Sequence, residues 1–501
     1  MVKSTVMSQS AFIGIDVGTS SIKVIAVGPD GKLLASSSSP MTVDVKRPGW
    51  SEQSPEDWWR GTCSAIQSVL AVCDSPEILG IGLSGQMHSL VALDDVGQVI
   101  RPAILWNDVR SSAEAEYVRS VVGDQTLRRT VGNPALEGFT VTKLLWLKNN
   151  ESGHYRRVSK ILLAKDYVRY RLTGEMGIEP SDASGTLLFD VFENDWSDEV
   201  CSQLQIEKQI LPQIVGSDET VGYVTTSATE QTGLKKGVPV VGGGADNACA
   251  ATGAGAVSEG DVLFTIGTSG AVVAPISNPV TDPGMRIHSM RHAIPNTWYL
   301  MGVVLSVGVA LDWWRRTSGA IQFDELVAEA ATVEPGADGV TFLPYLTGER
   351  TPHADANARG VFFGMHGGTR CAHMTRAVME GVSFALRDSL ELMNNLHVVP
   401  GDAIAVGGGS TSTTWLQMLS DIVDLPLQTV GPAEGAPLGA AMLASVGTGH
   451  FASAKDAGDS WLHSESVVEP NPKNRQTYDD AYARFRNLYP ALQQMFASAA
   501  E

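Results

Sequence analysis

The sequence predicts an α/β protein that is divided into two domains. Three observations lead to this prediction: the length of 501 residues, the mixture of apolar β-rich segments with helical ones, and a strand–turn–strand unit that occurs twice. A single hydrophobic core rarely grows beyond about 250–300 residues, so a chain of this length is expected to split. The content of 43% apolar and 18% charged residues is that of an ordinary globular protein.

The first strand–turn–strand unit lies close to the amino terminus. Residues 12–16 and 22–27 are apolar and predict two strands, joined by a turn of Gly, Thr and Ser at positions 18–20. A Pro-Asp-Gly hairpin turn follows, and residues 32–37 predict a third strand. The opening of the chain therefore predicts three consecutive strands.

The next predicted element is a helix over Pro55–Val72. Ser54 is a preferred N-cap residue, proline suits the position directly after it, and Asp57 lies in the first turn. The acidic and tryptophan-rich segment around this helix start, residues 50–59, is interpreted as a solvated loop and helix start rather than as a site.

The second strand–turn–strand unit begins about half a chain later. Val262–Ile266 is a predicted strand, Gly, Thr and Ser recur at positions 267–269, and residues 271–275 predict the returning strand. Matching letters in matching contexts indicate duplicated domains. Further on, a helix is predicted over residues 372–396, and residues 403–415 predict a strand, a glycine loop and a helix.

The domain boundary is placed near residue 250, in a segment of almost uniformly small residues, VVGGGADNACAATGAG at 240–255. Its one charged side chain is Asp246. Glycine and alanine let backbone or ligand approach closely, and burial raises the pKa of a carboxyl, so Asp246 is a candidate general base for a substrate hydroxyl. A helix N-cap is the alternative interpretation, and the two are compatible.

The composition of the chain limits the kinds of molecule that the protein is expected to bind. The net charge of −19 argues against a nucleic-acid-binding surface. The longest apolar run, which begins at Met301, is too short to span a membrane, and no export signal is read at the amino terminus. Five scattered cysteines fit free thiols in a reducing cytoplasm. We therefore expect a cytoplasmic protein that acts on small molecules.

Three loops have the composition of phosphate-binding turns. Asp16 ends a strand beside the first Gly-Thr-Ser turn, where backbone N–H groups can hold a phosphate, the carboxylate can hold Mg²⁺ and Lys23 can neutralise charge. The alternative is an ordinary polar hairpin. Residues 265–270 repeat the turn without the acid, and the glycine-rich turn at 407–415 can bring backbone N–H groups to a nucleotide. A lone glycine run is weak evidence, whereas three such loops together are stronger.

Two further segments carry side chains that suit a polyol or sugar. SGQMHS places Gln86 and His88 directly after an apolar strand, and ILWNDVR gathers Trp106, Asp108 and Arg110. Amide and carboxylate groups can bind hydroxyls, while an indole can cover the carbon face. The alternative for the tryptophan and the histidine is that they belong to the core.

Taken together, these segments resemble the FGGY carbohydrate kinases over essentially the whole chain. GFTVTKLLWLKNN at 138–150 and the segment that begins GVFFGMHGG at 360 resemble the two signatures of that family. The same order of motifs includes IGIDVGTSSIK, GIGLSGQMH, RPAILWNDVR, LLAKDYVRYRLTGE, SDASGT, GGGADNA, GTSG and FLPYLTGERTPH.

The resemblance implies two actin-like (ribonuclease-H-like) ATPase domains with the active site in the cleft between them. Residues 1–250 would bind the sugar and supply the first phosphate loop, and residues 251–501 would bind the nucleotide. The implied reaction uses ATP and Mg²⁺, with Asp246 as catalytic base and Asp16 as the acid near the metal. Relatives of this family are often dimers, so a homodimer is possible.

The resemblance also assigns the remaining contacts. The sugar would be contacted by Met87, His88, Asp246 and Asn247, with Trp106, Asp108 and Arg110 nearby. The phosphates would lie along Gly18, Thr19, Ser20, Lys23, Gly267 and Thr268, and the adenosine would pack on Gly408 and Gly409.

The choice of sugar rests on finer features. The WNDVR and GNPALEGFT segments look like those of family members that convert D-xylulose to D-xylulose 5-phosphate. Ser89 stands where those members usually have glycine, which resembles the gluconate kinases of the family. Gluconate, ribulose or another polyol is therefore an alternative, and an actin-like ATP sensor without transfer is a further one. The glycine run comes late in the chain and lacks the Rossmann spacing and a following acidic residue at the right distance, which argues against an NAD-dependent enzyme.

Overall fold

The computed structural model describes residues 10–320 and 322–499. Two large sheets organise them. The first half contributes the strands β1 (Ser10–Val17), β2 (Ser21–Val27), β3 (Leu33–Pro40), β4 (Glu52–Gln53), β5 (Glu77–Gly85), β6 (Val91–Leu93), β7 (Ala103–Ile104), β8 (Lys160–Leu162), β9 (Gly177–Ile178), β10 (Phe189–Asp190), β11 (Asp195–Trp196), β12 (Gln213–Ile214), β13 (Thr220–Tyr223), β14 (Pro239–Val241) and β15 (Gly244–Ala245). The second half contributes β16 (Val262–Ile266), β17 (Gly270–Ile276), β18 (His288–Arg291), β19 (Trp298–Val304), β20 (Thr341–Leu343), β21 (Val361–Phe363), β22 (Ala403–Val406), β23 (Leu427–Gly431) and β24 (His463–Val468).

Helices cover both sheets. Those of the first half are α1 (Pro55–Val72), α2 (Ser112–Val122), α3 (Asp124–Thr130), α4 (Thr140–Asn150), α5 (Ser152–Tyr155), α6 (Ala164–Thr173), α7 (Pro180–Ser184), α8 (Asp198–Gln203), α9 (Thr226–Thr232) and α10 (Asp246–Gly253). Those of the second half are α11 (Gly308–Ser318), α12 (Phe323–Ala331), α13 (Cys371–Asn394), α14 (Thr413–Val423), α15 (Ala436–Gly447), α16 (Ala454–Trp461) and α17 (Arg475–Ala499). Short 3₁₀ turns lie at Lys208–Ile210, Ala337–Gly339, Gly408–Thr411 and Pro472–Asn474.

The two sheets repeat the same local topology. The first has the order β13-β14-β5-β1-β2-β3, with β15 also paired to β5, and the second has the order β18-β19-β17-β16-β22-β23-β24. In the first, β1 runs antiparallel to β2 and parallel to β5, while in the second β16 runs antiparallel to β17 and parallel to β22. The predicted strand–turn–strand units are therefore both present. The domain boundary predicted near residue 250 falls within α10 and stays a prediction.

Predicted element bounds agree well with the structure where the hydrophobic pattern is strong. The helix Pro55–Val72 coincides with α1, and the strand Val262–Ile266 coincides with β16. The helix predicted over residues 372–396 is α13. The strand, glycine loop and helix predicted over residues 403–415 are β22, a 3₁₀ turn and the start of α14.

Helix α15 ties the second half of the chain to the first sheet through backbone contacts. A Cβ added at Gly14 would lie 1.8 Å from the carbonyl oxygen of Pro437, and one at Gly82 would lie 1.8 Å from that of Ala440. A Cβ at Gly439 would lie 1.9 Å from the Cys249 carbonyl oxygen in α10. Only glycine permits such close approach, so β1, β5, α10 and α15 form one packed unit.

The interpretation of residues 50–59 as a solvated loop is wrong. Glu52 is only 2% exposed and lies in β4, paired with β7. Its carboxylate contacts Lys46 at 3.0 Å, Arg110 at 2.7 Å and Arg101. Burial opposes ionisation, but these cations, Arg101 foremost, lower the pKa of Glu52 to about 2. The acidic composition of the segment was misleading because two of these cations, Arg101 and Arg110, lie 49 and 58 positions away in the sequence.

Candidate active site

Two carboxylates meet at the carboxyl edge of the first sheet. Asp16 on β1 lies beside Ser84 on β5, and Gly244 on β15 lies on the other side of Ser84. Asp246 follows β15 directly as the first residue of α10. The charge of Asp16 acts on Asp246 and helps to raise its pKa. The structure therefore brings together the two residues predicted to be catalytic.

Asp246 is not a helix cap. The N-cap position of α10 is Ala245, and no side-chain capping bond is made there, so the capping interpretation is wrong. Instead, Asp246 Oδ1 accepts hydrogen bonds from the backbone N–H of Asn247 at 2.7 Å and from its Nδ2 at 2.9 Å. Burial, reinforced by the charge of Asp16, raises the pKa of Asp246 to about 7. A carboxyl in this range can accept a proton near neutral pH.

Asp16 is the second carboxyl with a raised pKa, about 6, and burial is the cause. Its Oδ1 atom is buried and has no hydrogen-bond partner within the described residues. Lys23, its neighbour across the β1–β2 pair, forms an ion pair with Glu434 Oε2 at 2.7 Å. The lysine therefore already has a counter-ion, and its contact with phosphate stays a prediction.

A polar network holds the turn between β1 and β2. The Thr19 hydroxyl donates to Gln86 Oε1 at 3.2 Å and accepts from Trp106 Nε1 at 2.9 Å, while its carbonyl oxygen accepts from Gln53 Nε2 at 2.7 Å. The Gly18 N–H donates to the Ser21 carbonyl across the turn at 3.1 Å. Trp106 thus supports the first Gly-Thr-Ser turn. The position of Gln53 was not anticipated, because Thr19 and Gln86, to which it bonds, are distant from it in sequence.

His88 is held as a neutral acceptor. It has a left-handed backbone, with φ of 66°, and its Nδ1 lies 2.7 Å from the Gly185 carbonyl oxygen. Because a carbonyl only accepts, Nδ1 carries the proton and Nε2 is left as an acceptor. Burial, together with the charge of buried Lys143, lowers the pKa of His88 well below its usual value. Asn247 Nδ2 lies 3.9 Å from Met87 Sδ, which links this side of the site to Asp246.

Ser89, the departure noted in the sequence, does not face an open pocket. It is fully buried, and its hydroxyl donates to Gln86 Oε1 at 3.1 Å. The same oxygen accepts from Thr19. Ser89 therefore supports the polar network behind the first turn through Gln86, and its hydroxyl also lies 3.5 Å from the Met87 carbonyl oxygen.

Asp108 and Arg110 belong to the framework rather than to the pocket wall. Asp108 is fully buried and accepts from the Ser51 N–H at 2.6 Å and from Arg110 Nη2 at 2.7 Å. Arg110 also bonds Glu52 and lies 3.6 Å over the ring of Trp50. These bonds anchor the segment that carries Trp106, and the place of the pair near the sugar stays a prediction.

A cleft of about 970 Å³ opens beside the second strand–turn–strand unit. Four residues predicted to bind the nucleotide line it: Gly267, Thr268, Gly408 and Gly409. Its other walls include the apolar Leu311, Phe323, Val327 and Trp415 and the polar Asp312, Asp324 and Thr411. The Gly308 N–H at the start of α11 donates to the Gly267 carbonyl at 2.8 Å, so a helix amino terminus borders the turn.

Two glycines of the loop that borders this cleft, Gly407 and Gly409, are required by backbone conformation and by close packing. A Cβ at Gly409 would lie 2.2 Å from Ile266 Cγ2, and Gly407 has a φ of 96°. A Cβ at Gly408, in contrast, would meet nothing within 4 Å. The loop therefore rests directly on the end of β16, with Gly408 turned toward open space.

Arg350 lies in the GERTP motif and was not singled out from the sequence, but the structure places it close enough to His88 to affect its pKa. Within the described residues its guanidinium has no hydrogen bond or ion pair, while its backbone N–H donates to Glu349 Oε1 at 2.7 Å. Its charge contributes to lowering the pKa of His88 and of His288, so the second half places a cation near these two histidines.

The described residues contain no group of three or more His, Cys, Asp or Glu side chains arranged to hold a metal ion. In the same residues, every helix is too short or too polar to cross a membrane. The cysteines Cys63, Cys73, Cys201, Cys249 and Cys371 are free thiols.

Comparison with known sequences defines the class of protein. Residues 11–253 match the N-terminal domain of the FGGY family of carbohydrate kinases, and residues 262–448 match the C-terminal domain. The chain belongs to the FGGY family of carbohydrate kinases. It is a carbohydrate kinase with the two-domain fold of the actin-like ATPase type.

Individual sugar kinases are similar to this chain over nearly its whole length. The chain is 39% identical over 480 residues to a xylulose kinase of Bacillus subtilis, covering 95% of this chain and 96% of that protein. It superposes on a ligand-bound xylulose kinase from Lactobacillus acidophilus with a TM-score of 0.94 at 27% identity, covering 98% and 99% of the two chains. A gluconate kinase from the same organism also gives a TM-score of 0.94 at 27% identity, covering 98% and 100%.

Proposed function

We propose that this protein transfers the γ-phosphoryl group of ATP to D-xylulose, forming D-xylulose 5-phosphate and ADP, with Asp246 as the general base. The observation that carries the proposal is a partly buried carboxyl with a pKa of about 7 beside a second one, at the edge of the first sheet. The identity of about two fifths to a xylulose kinase over nearly the whole chain supports the choice of sugar.

The proposed step is an in-line displacement. The terminal hydroxyl oxygen of the sugar attacks the γ-phosphorus, its proton passes to Asp246, and the bond from the γ-phosphorus to the bridging oxygen of ADP breaks. Positioning and charge stabilisation supply most of the catalysis in such reactions, and the base contributes typically 10²–10⁴-fold. His88 Nε2 is an acceptor suited to a sugar hydroxyl. The Asn247 amide contacts both Met87, which precedes His88, and Asp246.

The phosphates would lie between the two strand–turn–strand units. The turn at Gly18, Thr19 and Ser20 is pre-ordered by its hydrogen bonds, and Thr268 stands exposed at the cleft beside the start of α11. Backbone N–H groups and a helix amino terminus both favour anionic groups. Gly408 faces open space and suits a flat base.

Asp16 fits a Mg²⁺ ion that accompanies the nucleotide. Mg²⁺ is usually bound by one or two carboxylates plus phosphate oxygens and waters, so a cluster of three protein ligands is not needed. The unpartnered Oδ1 of Asp16 and the raised pKa of both carboxyls indicate a site that lacks positive charge. When bound, the ion would neutralise charge on the transferring phosphates.

A second candidate substrate is a sugar acid such as gluconate. Within the described residues the guanidinium of Arg350 has no hydrogen bond or ion pair, although Glu137 and Glu349 act on it electrostatically, and it lies on the side of His88 and His288. Guanidinium groups bind carboxylates in a bidentate manner. Ribulose and other polyols are alternative substrates for the same phosphoryl transfer. A protein that senses ATP without transferring its phosphoryl group is the alternative that is not a kinase. A cytoplasmic location and a homodimer stay predictions.

An ADP-release assay with Mg-ATP against D-xylulose, L-xylulose, D-ribulose, L-ribulose, gluconate, glycerol and erythritol tests the proposal. Dominant turnover of D-xylulose is expected, and Asp246→Asn is expected to lower kcat by about 10²–10⁴-fold while ATP still binds. Dominant turnover of gluconate would show that the substrate is a sugar acid and not D-xylulose. ATP binding without turnover of any sugar would favour the sensor.

A further inference from the structure

The loop that delivers Asp246 has almost no side chains with which to anchor itself. Residues 242–245 are Gly-Gly-Gly-Ala. Added Cβ atoms at Gly242 and Gly243 would lie 2.1 Å and 2.0 Å from backbone oxygens of Gly216 and Leu83. Packing thus forbids larger residues here, and the position of the loop must be fixed by hydrogen bonds made to its backbone.

Two of those hydrogen bonds come from one buried ionic cluster. Arg169 Nη1 donates to the Gly242 carbonyl at 2.6 Å, at the start of the loop. At its end, the Ala245 N–H, directly before Asp246, donates to Ser181 Oγ at 2.9 Å. The Gly243 N–H donates to the Ser217 carbonyl at 2.8 Å between them.

The cluster itself is fully buried. Lys165 Nζ contacts Asp166 at 2.8 Å, Asp182 at 2.8 Å and Glu179 at 3.2 Å, and Arg169 contacts Asp166 at 3.1 Å, with all these side chains at 0% exposure. Glu179 Oε2 accepts from the hydroxyl of Ser181 at 2.7 Å and from that of Ser217 at 3.1 Å.

A buried ionic cluster is weak evidence for stability, because the cost of desolvation offsets the Coulomb attraction. Its best-attested use is to specify one geometry. Here the geometry concerned is that of the glycine loop, since the cluster touches the loop at both ends.

We infer that Ser181 is a positioning residue for the general base: its hydroxyl, oriented by Glu179 of the buried cluster, fixes the Ala245 amide and thereby the carboxylate of Asp246. The inference rests on the proposed function. A carboxylate displaced by about 1 Å from its productive position can lose about 10²-fold in rate.

Ser181→Ala and Ser217→Ala form a matched pair. Both serines are buried and both donate to the same oxygen of Glu179, but only Ser181 Oγ also holds the loop. Ser217 contacts the loop through its carbonyl, which the substitution keeps. We expect Ser181→Ala to lower kcat about 10- to 100-fold with both KM values nearly unchanged, and Ser217→Ala to leave kcat within about twofold. Equal effects of the two variants on kcat would overturn the inference.

Two further measurements separate positioning from structure. In an Asp246→Asn background, Ser181→Ala is expected to cause no further loss of residual turnover, because it acts through Asp246. Hydrogen exchange of a peptide covering residues 242–247 is expected to accelerate in Ser181→Ala and not in Ser217→Ala, which can be read without any substrate. A further loss in the Asp246→Asn background, or unchanged exchange, would contradict the inference.

The outcomes distinguish the two proposals. If Asp246→Asn keeps wild-type kcat, the base role fails and the inference fails with it. If Asp246→Asn is inactive while the two serine variants behave alike, the inference alone fails. Should Ser181→Ala not fold, Ser181→Cys, which keeps the size and a weak acceptor, is expected to show an intermediate kcat.

Discussion

The two strand–turn–strand units share a framework and differ in what their strand ends carry. Asp16 stands two residues before the glycine of the first turn, and Thr265 stands two residues before Gly267 in the second. The Thr265 hydroxyl accepts from the Ala271 N–H at 2.7 Å, so its bonding is satisfied within the hairpin. Asp16 Oδ1 has no such partner within the described residues.

The surroundings of the two Gly-Thr-Ser turns also differ. The first turn is held by hydrogen bonds that join Thr19 to Gln53, Gln86 and Trp106. The second turn borders a cleft of about 970 Å³. The comparison teaches that one copy of a repeated framework can supply charge while the other supplies room for a ligand, without a change of topology.

The largest expected effect comes from removing the charge that only the first unit has. Asp16→Asn is expected to lower kcat by about 10²-fold or more, since the charge-stabilising group beside the phosphates is lost. The equivalent change in the second unit, Thr265→Val, removes a hydroxyl and is expected to cost about 1 kcal/mol of stability, with a small change in kcat. ADP release and thermal unfolding measure both. Equal losses of kcat would break the comparison.

The next effect is the dependence on pH. Asp246 must be unprotonated to act as base, so kcat/KM for the sugar is expected to fall about tenfold per pH unit below an apparent pKa near 7. Because both carboxyls bind protons more tightly when folded, their contribution to the free energy of unfolding decreases as the pH rises from about 4 to about 7. An acid limb centred below pH 5 would contradict this assignment.

A smaller effect is expected at the glycine loop beside the second unit. Gly409→Ala forces a Cβ against Ile266, so we expect a lower Tm together with a several-fold higher KM for ATP. Gly408→Ala adds its Cβ in open space, so we expect an unchanged Tm and a change only in the KM for ATP. A lower Tm in both variants would show that the loop packs differently from this description.

The smallest effect is expected from Ser89→Gly. The hydroxyl bonds Gln86 inside the first unit, so its loss is expected to change the KM for the sugar by no more than about threefold and the KM for ATP by less. The sugar panel of the ADP-release assay measures both. A switch of the preferred sugar would instead show that this buried position controls selectivity.

Local patterns allowed much of the framework to be predicted. Apolar runs followed by turn residues identified β1, β2, β16 and β17, and the residues at its start identified α1, because those signals lie within a few neighbouring residues. Glycine and a lone carboxylate in small-residue surroundings pointed to Asp16 and Asp246, which the sheet brings together.

Features that depend on distant partners could not be predicted in this way. Glu52 was interpreted as solvated because its segment is acidic, and only the fold supplies Arg101 and Arg110. Asp108 resembled a sugar ligand in a polar motif, whereas the fold saturates it with the Ser51 amide and an arginine. Which charged side chains pair with each other in the interior depends on the folded structure. A single sequence does not show these pairs.

The close packing of α15 on β1 and β5 has a consequence for how the chain is made. Gly14 and Gly82 lie in the first hundred residues, yet the helix that covers them begins at Ala436. During synthesis one apolar face of the first sheet therefore stays uncovered until α15 has emerged from the ribosome, which happens when nearly nine tenths of the chain has been made. We expect a fragment ending near residue 253 to aggregate when produced alone, and co-expression with the remaining residues to restore solubility.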